Sequence, residues 1–281
     1  MSMLVKNLTC GYKGRAVVRD FSACVEEGSV FCLLGPNGVG KTTLFRTMLG
    51  LLPALGGTVE VDGQDVLHCQ EKRRAQLLAY VPQSHTPPFA FTAADVVVMG
   101  ASATGGLFGR PGASCYDVAR RAMETLSIGD LAERPYTELS GGQRQMVLIA
   151  RAVAQGARYL MMDEPCASLD LGNEARVLAA VRSLAEAGLG VVMTTHSPSH
   201  VAQCNACGVL LMREGKRLEG GPADLLTPEA LSQAYGVPVA VAEMTFDAQG
   251  HAVANERRNG TEGVSAADAA AHRITLCQPL L

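Results

Sequence analysis

No stretch of this 281-residue sequence stays apolar for long enough to cross a bilayer. Any role at a membrane is therefore expected to run through another chain. The opening, MSMLVKNLTCGYKG, carries neither a basic n-region nor a long apolar h-region, and no export signal is expected from it. Basic charge is also scarce. Lys plus Arg number 24 against 27 Asp plus Glu, for a formal net charge of -3. That balance argues against nucleic acid or anionic lipid headgroups as partners. Charged residues make up only 18% of the chain, below the roughly 25% that is usual. The hydrophobic fraction of 48% suits a large core, and equally an apolar face turned to a partner. A disulfide framework is not expected either. The nine cysteines are odd in number and fall in apolar segments, as Cys24 and Cys32 do. They read as buried thiols in a reducing, cytosolic compartment.

What is present is an alternation of strands and helices. Residues 2–9 and 15–25 predict two strands around the turn Cys10–Gly14. SVFCLL, 29–34, is a continuous apolar run, suited to a strand covered on both faces. A helix is expected from Lys41 to Leu49, a strand and turn over Gly56–Gly63, and a strand in QLLAYVPQ, 76–83, stopped at Pro82. Then the texture changes. A Pro-containing loop, 84–91, leads to helical patterns at 92–100 and 114–127, separated by the Gly-rich TGGLFGRPG, and to a helix over 140–155. Afterwards RYLMMDEP reads as a strand, 171–187 as a helix, LGVVMTTH as a strand and 198–206 as a short helix. GVLLMREGKRLEGG predicts a hairpin turning at Glu214-Gly215, and Thr227-Pro228-Glu229 opens a last helix. The alternation implies an α/β protein with a mostly parallel, covered sheet. Its core spans 1–83 and 156–243, with a helical segment inserted at 84–155. The polar, Ala- and Gly-rich tail, 244–281, is expected to be weakly ordered.

Three motifs carry chemistry. GPNGVGKTT runs from Gly35 through Pro36, Asn37, Gly38, Val39, Gly40, Lys41 and Thr42 to Thr43, after a strand and before a helix. In that context the glycines let backbone N–H groups wrap a phosphate chain. Lys41 supplies a point charge for the β- and γ-phosphates, and Thr42 offers a hydroxyl to Mg²⁺. In YLMMDE, 159–164, four apolar residues end in two acids. Asp163, at the carboxyl end of a buried strand, suits Mg²⁺, and Glu164 suits a general base that orients water. In LSGGQ, 139–143, two glycines follow a serine at a helix start. Its backbone N–H groups and dipole make a second phosphate-binding end. The phosphates beside Lys41 are already enclosed by their own loop, so this end awaits another nucleotide.

With these motifs in this order, residues 1–240 resemble the ATP-binding cassette (ABC) ATPases. The resemblance implies a P-loop NTPase core with an added antiparallel β region and the inserted helical subdomain. It also assigns roles. Tyr12 stacks on adenine. Gln83 of the Q-loop senses the γ-phosphate and joins Thr42 and Asp163 around Mg²⁺. His196 contacts the γ-phosphate, and Asp170 ends the D-loop. Two copies would pair head to tail, each ATP lying between one phosphate loop and the partner's Ser140, Gly141, Gly142 and Gln143. The D-loop departs from the family's wording: CASLD, 166–170, stands where Thr-Ser-Ala-Leu-Asp is usual. The serine is shifted by one, and its usual role is not carried over. His196, His200, Cys204 and Cys207 imitate metal-ligand spacing near one helical face, but an ordinary helix suits the flanking residues better.

Within the family, LAYVPQ, FTAADVVVMG, LSGGQRQ and TTHSP resemble the ATPases of metal-chelate importers. These take up iron–siderophore, haem, cobalamin, or molybdate and tungstate. Such a subunit lies on the cytoplasmic side of the inner membrane, bound to transmembrane permease subunits and, through them, served by a substrate-binding protein. Segment 84–127, with Phe89 and Phe91 as exposed apolar residues, is expected to dock the permease. Little chain follows the hairpin, so the long regulatory domain of sugar-importer ATPases is not expected. The alternatives are the ATPase of a free metal-ion importer, an exporter ATPase, or a soluble ABC ATPase acting on DNA or ribosomes. The last needs a coiled-coil insertion, a second cassette or a basic stripe, and none is seen.

Overall fold

The computed structural model describes residues 2–83, 91–103, 112–246, 252–253 and 272–279. The chain opens with β1 (Ser2–Tyr12), β2 (Arg15–Glu26), β3 (Val30–Leu34), α1 (Lys41–Met48), β4 (Gly56–Val61) and β5 (Gln64–Asp65). It continues through α2 (Glu71–Leu77), β6 (Leu78–Val81), α3 (Ala93–Ser102), α4 (Ala113–Thr125), α5 (Gly141–Ala154), β7 (Tyr159–Met162) and α6 (Leu171–Glu186). Then come β8 (Gly190–Thr195), α7 (Pro198–Gln203), β9 (Cys207–Leu211), β10 (Arg217–Gly220), α8 (Pro222–Leu225) and α9 (Pro228–Tyr235). The last elements are β11 (Val239–Phe246), β12 (Ala252–Val253) and β13 (His272–Pro279).

The central sheet has the order β10-β9-β3-β8-β7-β6. All its pairings are parallel except the hairpin β9–β10. Every residue of β3, β7 and β8 is buried, as expected of strands covered on both faces. Alternation decides which core each side chain enters. Cys32 and Leu34 join the cluster shared with α3, α5 and α6. Phe31 and Leu33 join the one shared with α1 and with β1, β2 and β4. The latter strands belong to an antiparallel sheet of order β2-β1-β4-β5. Helices α3, α4 and α5 fall between β6 and β7 in sequence and pack on one another. Among the described residues no helix is long and apolar enough to cross a membrane.

Several local expectations are corrected. The first turn is tighter than Cys10–Gly14. Tyr12 pairs with Arg15, and only Lys13 (φ 49°) and Gly14 (φ 75°) turn the chain, the two left-handed residues of a primed hairpin turn. Gln76 and Leu77 belong to α2 rather than a strand, because EKRRAQL is built from good helix formers. The Gln155 amide donates to the carbonyls of Ala75 (2.6 Å) and Leu78 (3.0 Å) where that helix passes into β6. Cys24 is exposed, whereas Cys32 is buried; on β2 one face looks to solvent. In the tail, His272–Pro279 forms a strand. It pairs antiparallel with β11 from Val239↔Pro279 to Phe246↔His272. Its alternation of Ile274 and Leu276 with Thr275 and Cys277 is strand-like, a signal masked by the polar stretch before it. The loop at 84–90 and most of the Gly-rich connection, 104–111, lie outside the described residues.

Leu33 is fully buried in the middle of β3. Leu33→Ala is expected to cost about 2–5 kcal/mol of stability. A urea midpoint equal to the parent's would remove β3 from the core.

Candidate functional site

Strand β3 delivers the phosphate loop. Gly40 caps α1 at φ 109°, and a Cβ there would press into Val17 and Val18 at 2.9 Å. Only glycine fits this left-handed, crowded position. Lys41 opens α1 and is 4% exposed. Its Nζ folds back over the loop and donates to the carbonyls of Gly35 (2.7 Å) and Pro36 (3.1 Å). Burial lowers its pKa, while the charges of Glu164 and Asp163 work the other way. Thr42 is half-buried, and Asn37 and Gly38 are exposed.

Strands β7 and β8 deliver the acids and their support. Met162 pairs with Met193 across the ladder, so Asp163 and Thr194 follow side by side. Thr194 Oγ1 donates to Asp163 Oδ1 at 2.8 Å and accepts from the Glu164 N–H at 2.8 Å. Asp163 is buried. Glu164 is held at φ 47°, a left-handed conformation unusual for a glutamate. Its carboxylate lies between two nitrogens: Oε1 is 4.0 Å from Lys41 Nζ, and Oε2 is 3.5 Å from His196 Nδ1. Lys41, Asp163, Glu164 and His196 are thus brought together at the carboxyl ends of three adjacent strands, where open α/β sheets place ligands.

Two neighbours of this cluster were given no part in it by the sequence. Thr194 is one; the polar pair Thr194-Thr195 closing an otherwise apolar strand was its signal. His200, noted only for metal-like spacing, is the other. It is buried in α7, its Nδ1 2.8 Å from Thr195 Oγ1 and its Nε2 3.3 Å from Glu174 Oε1. Burial lowers its pKa, and the Glu174 carboxylate opposes that. His196 precedes α7 rather than lying on it, so the four metal-like residues do not share one helical face. Glu164, Ser168, His196 and His200 line a pocket of about 260 Å³. A larger cleft of about 710 Å³ opens between Val17–Arg19, Asn37–Val39 and Leu211–Arg217.

The remaining candidates stand apart. Tyr12 is half-exposed at the end of β1, and Gln83 is exposed beyond β6. Ser140 caps α5 in a reciprocal box: its Oγ accepts from Gln143 N–H (3.2 Å), and Gln143 Oε1 accepts from Ser140 N–H (3.0 Å). A Cβ on Gly142 would collide with Asn173. Asn173 in turn bonds Asp170, whose side chain caps α6 through Asn173 N–H (2.8 Å) and accepts from Asn173 Nδ2 (2.7 Å). These two hydrogen bonds hold the Asp170 carboxyl below its ordinary pKa. The signature and the D-loop are therefore one packed unit. Phe91 is half-buried against the core rather than exposed, and its carbonyl accepts from Tyr136 N–H at 2.9 Å. Phe89 lies outside the described residues.

A glycine loop with a buried lysine, facing two acids across a parallel sheet, defines a P-loop nucleotide-binding protein. The family model for ABC transporters matches residues 18–167. An uncharacterized ABC transporter ATP-binding protein of Haemophilus influenzae is 40% identical over 235 residues, covering 84% of this chain and 89% of that one. The hemin import ATP-binding protein of Rhodococcus jostii is 38% identical over 233 residues, covering 82% and 78%. A solved structure of a metal-chelate type ABC transporter in an inward-facing conformation superposes with a TM-score of 0.80. It has 30% identity and covers 100% of this chain and 97% of that one. The chain belongs to the ABC transporter family, as an ATP-binding protein that hydrolyses ATP.

Thr194→Val keeps the shape of the side chain but orphans Asp163 and the Glu164 N–H. It is expected to lower stability by about 1–3 kcal/mol in urea titration. An unchanged midpoint would show that the hydroxyl holds neither group.

Proposed function

We propose that this chain is the ATP-hydrolysing subunit of a membrane importer whose cargo is a metal chelate or metal oxyanion. The classes considered are iron–siderophore, haem, cobalamin, and molybdate or tungstate. The hemin-import relative and the metal-chelate type structure support that class. In this reading the subunit sits on the cytoplasmic side of the membrane against permease subunits, with a substrate-binding protein acting through them.

The observation that carries the catalytic reading is the seat of Glu164 between Lys41 and His196. ATP phosphates lie along the loop Gly35–Thr43, where their oxygens accept from the α1 N–H groups and replace the Gly35 and Pro36 carbonyls as acceptors for Lys41 Nζ. Glu164 orients the attacking water and accepts its proton. His196, on the far side of the same carboxylate, contacts the γ-phosphate. Lys41 and His196 stabilise charge on the phosphoryl group as it transfers. Tyr12 offers its half-exposed ring to adenine.

The oxygen set of Thr42 hydroxyl, Gln83 amide and Asp163 carboxylate has the hard-donor chemistry that Mg²⁺ takes. Asp163 suits it further, because Thr194 fixes one carboxylate oxygen. Bound with ATP, Mg²⁺ supplies charge neutralisation at the β- and γ-phosphates.

Ser140 and Gln143 bond each other, and Gly141 and Gly142 face Leu169 and Asn173 rather than the phosphate loop. That favours the head-to-tail pair, in which this end of α5 meets the partner's nucleotide and Asp170 lies at the same junction.

Glu164→Gln is expected to keep ATP affinity, lower turnover by at least about a hundredfold, and accumulate as an ATP-bound dimer in gel filtration. Parent-level hydrolysis in that variant would take Glu164 out of the mechanism. Ser140→Arg is expected to act in trans, silencing the site whose phosphate loop belongs to the unmodified partner. Mixed dimers that hydrolyse normally at both sites would sink the composite arrangement.

A further inference from the structure

His196 sits in the short connection between β8 and α7, with no ladder partner to fix its backbone. Side chains do that work instead. Thr195 Oγ1 accepts from the Ser197 N–H at 3.0 Å and meets His200 Nδ1 at 2.8 Å. On the other side, the Tyr235 hydroxyl donates to the His196 carbonyl at 2.7 Å. Tyr235 is the last residue of α9, 39 positions further along the chain, and it lies outside all three nucleotide motifs.

We infer that Tyr235 is a positioning residue for hydrolysis. Its hydroxyl pins the His196 carbonyl and so fixes the peptide from which the imidazole reaches Glu164. The inference rests on the reading of His196 as the γ-phosphate contact. Holding the carbonyl restricts rotation of the 196–197 peptide, and that rotation would swing the imidazole away from Glu164 Oε2, now 3.5 Å distant. The ring of Tyr235 packs on the core, as do Val241 of β11 and Cys277 of β13, and α9 packs against β11. Burial, with the Cys277 thiol nearby, holds the phenol above its usual pKa, so it remains an O–H donor. Strand β13 also packs along α7. The C-terminal strands thereby brace the tyrosine that braces the histidine.

Tyr235→Phe removes the hydroxyl and keeps the ring, so the full-length variant is expected to fold with parent-like circular dichroism. Its kcat for ATP is expected to fall roughly fivefold, the scale of one lost hydrogen bond, with the dissociation constant for ATP unchanged. In a His196→Ala background the same change is expected to cost nothing more, since its route of action is gone. Parent-level kcat in Tyr235→Phe overturns the inference. So does a loss that appears as weaker ATP binding, or that recurs undiminished in the His196→Ala background. His196→Ala turning over at the parent rate would overturn the role given to His196, and the inference with it. That outcome is separate from Tyr235→Phe leaving turnover intact while His196→Ala lowers it.

Discussion

The Thr194 hydroxyl is the joint on which the site depends. It bonds Asp163 and the Glu164 N–H at once, and so fixes two adjacent acids. Glu164 sits in a left-handed backbone conformation, which costs a non-glycine residue roughly 1–2 kcal/mol, and the bond from its N–H to Thr194 Oγ1 helps to hold it there. The acids in turn let Lys41 be buried. A lysine 4% exposed would shed its proton without compensating charge. The carbonyls of Gly35 and Pro36 and the carboxylates beyond them provide that compensation.

The sheet order explains why these groups meet. Strand β8 lies between β3 and β7. Lysine loop, threonine and acids therefore issue from three neighbouring strand ends, all pointing the same way. Alternation within β3 sends neighbouring side chains into two separate cores, and the strand ends inherit the rigidity of both.

What could be read from the sequence was what consecutive residues encode. GPNGVGKTT carries its own strand, loop and helix start, and the helices at 92–100 and 140–155 carry their own periodicity. LSGGQ carries its capping box in the spacing of Ser140 and Gln143. Contacts set by sheet register were invisible. Thr194 becomes important only because it lies beside Asp163, 31 positions away. Tyr235 falls in the last helix with nothing local to point to a carbonyl 39 positions back. Cys24 and Phe91 failed in opposite senses for one reason: composition says that a side chain is apolar but not which face its element turns to the core.

Helix α6 joins the two ends of the machinery. Its first turn holds Asp170 and Asn173, against which Gly142 of the signature packs without room for a methyl group. One residue further, Glu174 reaches His200, and His200 reaches Thr195, next to His196. The surface that would meet a partner's nucleotide and the loop that would meet the chain's own are thus carried by the same turn of helix. Asp170, Asn173 and Glu174 thus tie the Gly142 end of α5 to the His200–Thr195 pair through a single turn of helix.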